Sequence, residues 1–214
     1  MRAREISSRS GGDEKLNKHQ LRTEATKKKL IDAAYEVFTR DGFEAARIED
    51  IAALAGFTRG AYYAHFETKT DIFFALLEEK ASAARERLSS VLEHCRTPEE
   101  RRAAVRDYYM RSKVDRQWAV LLVEFKLYAL RRSHRHEELA EAHRRVRKKM
   151  SEWMREYASA DKQPLLETEE FIRAGLESAY MGLLLERSYD PRRLSDAQVR
   201  DLLGRFFDAL VPIP

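Results

Sequence analysis

The chain has 214 residues, 43% hydrophobic and 36% charged, with a formal net charge of +4 at pH 7. That balance describes a globular protein with room for a buried core, and its mild basicity permits a nucleic-acid partner without demonstrating one. A lone cysteine excludes an internal disulfide, and with no long uncharged run and no apolar leader the expectation is a cytoplasmic protein without membrane spans.

Residues 1–20 are polar, carry Gly11-Gly12 and several serines, and show no apolar period, so a disordered arm is expected there. Arg2, Arg4, Arg9, Lys15 and Lys18 make it basic. Such an arm either touches phosphates or a minor groove or is simply a solvated tail, which is the commoner use of a basic terminus. From Leu21 a helical period begins, with Leu30, Ala34, Val37 and Phe38 on one face and Lys27, Lys28 and Lys29 outside. Gly42 ends the helix.

Next come two short helices around a glycine. Ile48, Ile51, Ala52 and Ala55 recur at helical spacing, so Arg47 to Ala55 reads as one amphipathic helix broken by Gly56. Thr58 caps a second, running from Arg59 to about Phe66. In a helix-turn-helix the first helix braces the second, whose N-terminal residues meet base edges in the major groove. Here those residues are Thr58, Arg59, Gly60 and Ala61. An arginine bonds both acceptors of a guanine edge, and a small residue such as Ala61 permits close approach or touches a thymine methyl. Tyr63 and His65 flank the contact within reach of phosphate, and Thr68-Lys69-Thr70-Asp71 caps a third helix with Lys69 facing phosphate. The bland alternative for this pattern alone is a helical hairpin.

Arg22 to Leu77 resembles the DNA-binding domain of TetR-family transcriptional regulators, especially the branch controlling drug-efflux genes. The matching residues include Ile31, Ala33, Ala34, Phe38, Asp41-Gly42-Phe43, Asp50-Ile51-Ala52, Ala55-Gly56, Thr58 to Ala61, Tyr63, His65-Phe66 and Lys69. The resemblance implies that Thr58 to Ala61 face bases, that Tyr63 and Lys69 hold phosphates, and that the first turn of the helix from Leu21, near Thr23, meets a phosphate. Arg47 departs from the usual Ser or Thr, which exchanges a helix cap for a phosphate contact, and Tyr62 departs from an aliphatic.

Between Gly60 and Gly175 there is no glycine, and Pro98 is the only proline before Pro164, so this stretch reads as stacked helices. The first spans Lys69 to about His94, with Cys95 on its inner face. Thr97-Pro98-Glu99-Glu100 starts another, carrying Tyr108 and ending near Lys113. Asp115 caps the next, over 116–131, in which apolar residues cover nearly the whole circumference except Gln117, Glu124 and Arg131; it is expected in the middle of a bundle. Glu124 there is either a structural ion-pair partner or the polar anchor of an effector cavity walled by Tyr108, Trp118, Leu122, Phe125, Tyr128, Met150, Trp153 and Tyr180. In the following helix Leu139, His143, Val146 and Met150 form an apolar stripe, with Arg144, Arg145, Arg147, Lys148 and Lys149 mostly on the solvated face. Two final helices follow. Gly175, Ala179 and Gly182 allow close backbone approach, while Leu202 and Phe206 add apolar surface near the C-terminus. The resemblance implies that these two helices pair with those of a second subunit; the alternative is that they close the monomer core.

No metal-ligand spacing, phosphate loop or catalytic signature occurs, so no catalytic residue, metal or cofactor is expected. The expectation is an all-α protein: an arm over 1–20, a helix-turn-helix domain over 21–69 and an effector-binding and dimerisation domain over 70–214. It would be a homodimeric repressor of a pseudo-palindromic double-stranded operator, released by a small lipophilic ligand. The rivals are a ligand-free DNA-bound adaptor of the same fold and a helical-bundle enzyme.

Overall fold

The computed structural model describes residues 5–111, 115–132, 136–158 and 168–211, and the side chains of these except 5–18, 111, 150, 151, 153–158 and 168–173. Among the described residues every regular element is a helix: α1 (Glu5–Asp41), α2 (Ile48–Leu54), α3 (Arg59–Tyr63), α4 (Lys69–Leu92), α5 (Pro98–Arg111), α6 (Arg116–Arg131), α7 (His136–Ala158), α8 (Thr168–Tyr189) and α9 (Asp196–Leu210). They form two units, Met1–Leu76 and Leu77–Pro214, with the division inside α4.

α1 begins at Glu5, so the segment read from its composition as a disordered arm carries helical backbone. A nucleated helix adds one hydrogen bond per residue fixed, and the packed half of α1 supplies that nucleus. Thr23 therefore lies in the body of the helix rather than in its first turn.

In the first unit α1 buries Leu30, Ala34, Val37 and Phe38 against Phe43, Ile51, Ala52 and the start of α4, where Ile72, Phe73 and Leu76 are buried. Phe43 is the hub, 5.3 Å between ring centres from both Phe38 and Phe73. Each buried ring of this kind stabilises the unit by roughly 1.5–3 kcal/mol. Gly42 and Gly56 adopt φ of 80° and 77°, which lets both helices end abruptly. After α2, Phe57 N–H bonds Ala52 O at 2.8 Å and Gly56 N–H bonds Ala53 O at 3.0 Å, closing the turn that separates α2 from α3.

In the second unit α8 packs on α9, α5 on α9, and α6 on both α7 and α8. Phe207 and Leu176 are buried together beneath Val105, Tyr109, Leu210 and Val211. Arg102 and Arg106 of α5 both hold Asp208 at 2.9 Å, and Arg102 also donates to Val211 O. The guanidinium of Arg106 lies across Gly204, where a Cβ would meet it at 2.7 Å. The helix starts follow the sequence: Thr97 with Glu100 and Ser195 with Gln198 form reciprocal caps, and Asp115 accepts from Trp118 N–H.

Two expectations in this unit are corrected. α6 is not buried all round: Val120, Leu127 and Leu130 are exposed among the described residues, since its neighbours cover only the face bearing Ala119, Leu121, Leu122, Phe125 and Ala129. Arg147 is not on the solvated face of α7. It stands four residues after His143, at the border of the apolar stripe, and reaches Glu177 of α8 at 3.1 Å.

Candidate nucleic-acid interface

α3 has only five residues and cannot hold itself together in water. Its fixtures are a cap and two rings. Thr58 Oγ1 accepts from Ala61 N–H at 3.2 Å, and Tyr62 and Phe66 are buried below. The Tyr62 hydroxyl donates to Thr68 O at 2.9 Å, so the unusual tyrosine ties α3 to the turn before α4. Burial pushes its phenol pKa well above the usual range, keeping it a donor. Thr68 and Asp71 then cap α4 reciprocally, at 2.8 and 3.2 Å.

What remains outward is the face expected to read DNA. Thr58, Arg59 and Gly60 are exposed and Ala61 is partly so. A Cβ on Gly60 would meet only Thr58 Oγ1, at 3.8 Å, so nothing within the chain requires glycine there. The Arg59 guanidinium lies 2.9 Å from Glu49 of α2 and donates to Tyr63 Oη at 3.2 Å, its carbon 5.4 Å from that ring's centre. The hydrogen bond to Tyr63 and the charge of Glu49 raise the Arg59 pKa further, so it is a permanent cation. Arg47, exposed at the N-cap of α2, makes no side-chain cap.

Lys69 is placed differently from a lysine reserved for phosphate. Its ammonium donates to Glu44 O at 2.7 Å and Ala46 O at 2.9 Å, and sits 5.1 Å from the centre of Phe43. It therefore secures the loop between α1 and α2. His65 lines a recess of about 680 Å³ with His19, Arg22, Thr23, Thr26, Lys27 and Ala64. Arg22 and Lys27 make this recess basic, and it extends the candidate interface along α1. His19 and Arg22 were not legible as site residues, because only the tertiary fold brings α1 beside Ala64 and His65, just after α3.

The second unit holds a separate cavity of about 1420 Å³. Of the expected ligand-site residues, Tyr108, Trp118, Leu122 and Tyr180 line it, together with Asp115, His143 and Glu177, which were not expected at a ligand. Glu124, Phe125 and Tyr128 are not on its wall; Glu124 is half-buried and engaged elsewhere, while Phe125 and Tyr128 stack 6.3 Å apart. Met150 and Trp153 lie outside the described side chains. Burial pushes the Glu177 carboxyl up, but Arg147 and Lys126 outweigh it and leave the pKa below the usual carboxylate value. Burial, with Tyr108 and Asp115 nearby, pushes the Tyr180 phenol up to about 12.

Of the expected dimer residues, Gly175 is used within the chain: a Cβ there would meet Leu210 at 3.0 Å. Gly182 faces open space, Phe206 is 45% exposed, and Ala179 and Leu202 are half-buried.

Residues 30–76 match the family described as bacterial regulatory proteins, tetR family. The chain is similar to the HTH-type transcriptional regulator SrpR of Pseudomonas putida, 44% identical over 57 residues, 27% of each chain. It is also similar to the HTH-type transcriptional regulator TtgR of Pseudomonas putida, 43% identical over 53 residues, 25% of each. It spans less than half the length of the curated relatives it matches. Solved structures with the same fold include the fatty acid degradation regulator FadR from Bacillus halodurans, at TM-score 0.64 and 19% identity, covering 86% of this chain and 94% of that one. Another is the multidrug binding protein EbrR complexed with ethidium, at TM-score 0.58 and 22% identity, covering 85% and 97%.

Proposed function

We propose that the protein, whose residues 30–76 match the tetR family of bacterial regulatory proteins, is a dimeric, sequence-specific repressor acting in the cytoplasm. It holds a pseudo-palindromic operator and lets it go when a small lipophilic ligand enters the second unit. The observation that carries the reading is the outward face of α3, where Thr58, Arg59 and Gly60 are exposed on a helix anchored by Tyr62 and Phe66. One such helix reads few base pairs, so two copies on two half-sites are needed for useful specificity. Gly182 and Phe206 on α8 and α9 supply surface for the second copy.

The cavity of about 1420 Å³, walled by Tyr108, Trp118, Leu122 and Tyr180, favours a regulator with an effector over a ligand-free adaptor, whose core would be filled. That the similarly folded EbrR holds ethidium supports the same reading. The ligand acts by binding the DNA-free arrangement more tightly than the DNA-bound one.

The test is fluorescence anisotropy with duplex from the region upstream of the protein's own gene, against random duplex, with and without a panel of lipophilic compounds. Salt-sensitive preference for the upstream duplex, relieved by at least one compound, is expected. Equal affinity for both duplexes would overturn sequence-specific regulation.

A further inference from the structure

Lys80, on α4, lays its ammonium 3.1 Å from Asp115 Oδ2 and 5.6 Å from the centre of the Trp118 ring. A carboxylate beside an indole ring is a setting for a cation, because the full negative charge and the ring quadrupole act on the same guest. Both groups are fixed by the fold. Asp115 Oδ1 accepts from Trp118 N–H at 3.0 Å as the cap of α6, which locks the carboxylate and the indole within one helical turn. Tyr108 and Tyr180 add aromatic wall to the same cavity.

The lysine is the adjustable member of the group. Its ammonium rides on a flexible four-carbon stem and is strongly hydrated when released. The Lys80 and Asp115 side chains are 33% and 38% exposed, and an ion pair in such a position adds little to stability. The rest of the wall also disfavours an anionic guest. Among the described residues the wall as a whole carries five carboxylates, from Glu79, Glu86, Asp107, Asp115 and Glu177, against three cationic side chains, Lys80, Arg87 and Arg147, and Arg147 is engaged with Glu177.

We infer that Lys80 is a built-in stand-in for the effector, whose class is an aromatic or lipophilic organic cation that takes the place of the Lys80 ammonium on Trp118 and Asp115. The inference rests on the reading of this cavity as the effector site. As the guest enters, the ammonium of Lys80 turns out to water and no covalent bond changes. Lys80 stands on the same unbroken helix as Lys69. The exchange removes the ion pair joining α4 to the start of α6, so occupancy of the cavity is felt by the helix that opens beside α3.

The experiment uses two ions of matched size and opposite charge, tetraphenylphosphonium and tetraphenylborate, titrated calorimetrically into the full chain. Wild type, Lys80→Met, Lys80→Arg and Asp115→Asn are compared, each checked for a cooperative thermal melt, with Lys80→Gln as replacement if the methionine variant does not fold. Tetraphenylphosphonium is expected to bind wild type and to bind Lys80→Met roughly tenfold more tightly, because the internal competitor is gone. Lys80→Arg, which keeps a cation in place, follows wild type. Asp115→Asn, whose amide oxygen still caps α6, loses most of the affinity. Equal affinity of wild type and Lys80→Met for the phosphonium, or no binding by either, overturns the inference. So does tighter binding of the borate that Lys80→Met abolishes, which would make Lys80 an anion anchor. Operator affinity is measured in parallel on the same samples. A chain that binds no operator but shows the tightened phosphonium binding keeps this inference and loses the regulatory reading. A chain released from its operator by other compounds, with Lys80→Met indifferent to the phosphonium, loses the inference alone.

Discussion

Arg59 enters any complex from an engaged state, held by Glu49 at 2.9 Å and lying against Tyr63. On the proposed reading, DNA has to compete with that carboxylate. Arg59→Ala is expected to lower operator affinity roughly ten- to hundredfold and relax preference at one base position per half-site, with random duplex little affected, as for loss of a bidentate guanine contact. Anisotropy against a set of single-base operator variants checks this; an equal loss on random duplex would assign Arg59 to phosphate instead. Glu49→Gln is expected to act oppositely and raise operator affinity a few-fold at low salt, because it removes both the internal partner and a negative charge facing phosphate. Lys69 belongs to a different class of residue. Its two bonds to Glu44 O and Ala46 O are charge-assisted, so Lys69→Met should destabilise the first unit by about 2 kcal/mol, read by thermal melting of the free protein. A variant that melts like wild type but binds all duplexes weakly, with a shallower salt dependence, would return Lys69 to a role on phosphate alone.

Among the elements, α8 offers an experiment that separates packing inside the chain from packing between copies. A Cβ on Gly182 would find nothing within 4 Å, whereas one on Gly175 would face Leu210 at 3.0 Å. Gly182→Leu should therefore leave the thermal midpoint nearly unchanged while weakening dimerisation and operator binding together. Gly175→Leu should lower the midpoint by forcing Leu210 and α9 aside. Sedimentation showing an unchanged dimer for Gly182→Leu would move the interface off that face. The same glycines show why legibility in the sequence was uneven. Caps and stops were readable because their chemistry is local: Asp115, Thr97, Ser195, Gly42 and Gly56 each act on backbone within a few residues. The α3 face was readable for the same reason, since cap, exposed residues and buried Tyr62 lie within five positions. The cavity wall was not. Choosing Asp115 and Glu177 over Glu124 requires knowing how α6 is rotated against α7 and α8, and its nearly continuous apolar circumference leaves that rotation open. The exposure of Val120 and Leu127 and the inward turn of Arg147 follow from the same undetermined angle.

For the molecule as a whole, the second unit depends on a buried-edge charge cluster. Glu177 meets Lys126 at 3.4 Å and Arg147 at 3.1 Å, and these cations hold its pKa below 4.5, the usual value. A carboxylate with a lowered folded-state pKa stabilises the fold fully above its unfolded value and loses that contribution as pH falls through the folded one. Glu177→Gln should accordingly be less stable than wild type at neutral pH, by on the order of 1 kcal/mol, and the difference should shrink as pH falls below 4.5. Paired melts at neutral and acidic pH check it; a gap that does not depend on pH would assign the loss to packing rather than charge. The first unit is organised in the opposite manner, with nothing essential on its working face. Thr58 supplies a cap that serine, aspartate or asparagine would supply as well, Gly60 has room for a side chain, and Arg59 projects from a helix whose buried side chain is Tyr62, with Phe66 buried just beyond it. On the proposed reading, base preference at Arg59, Gly60 and Ala61 and the packing of Tyr62 are carried by different side chains one to three positions apart. On that reading, descendants of this chain can drift to new operators, and engineered variants can be retargeted by exchanging 59–61, without first acquiring compensating mutations in the core.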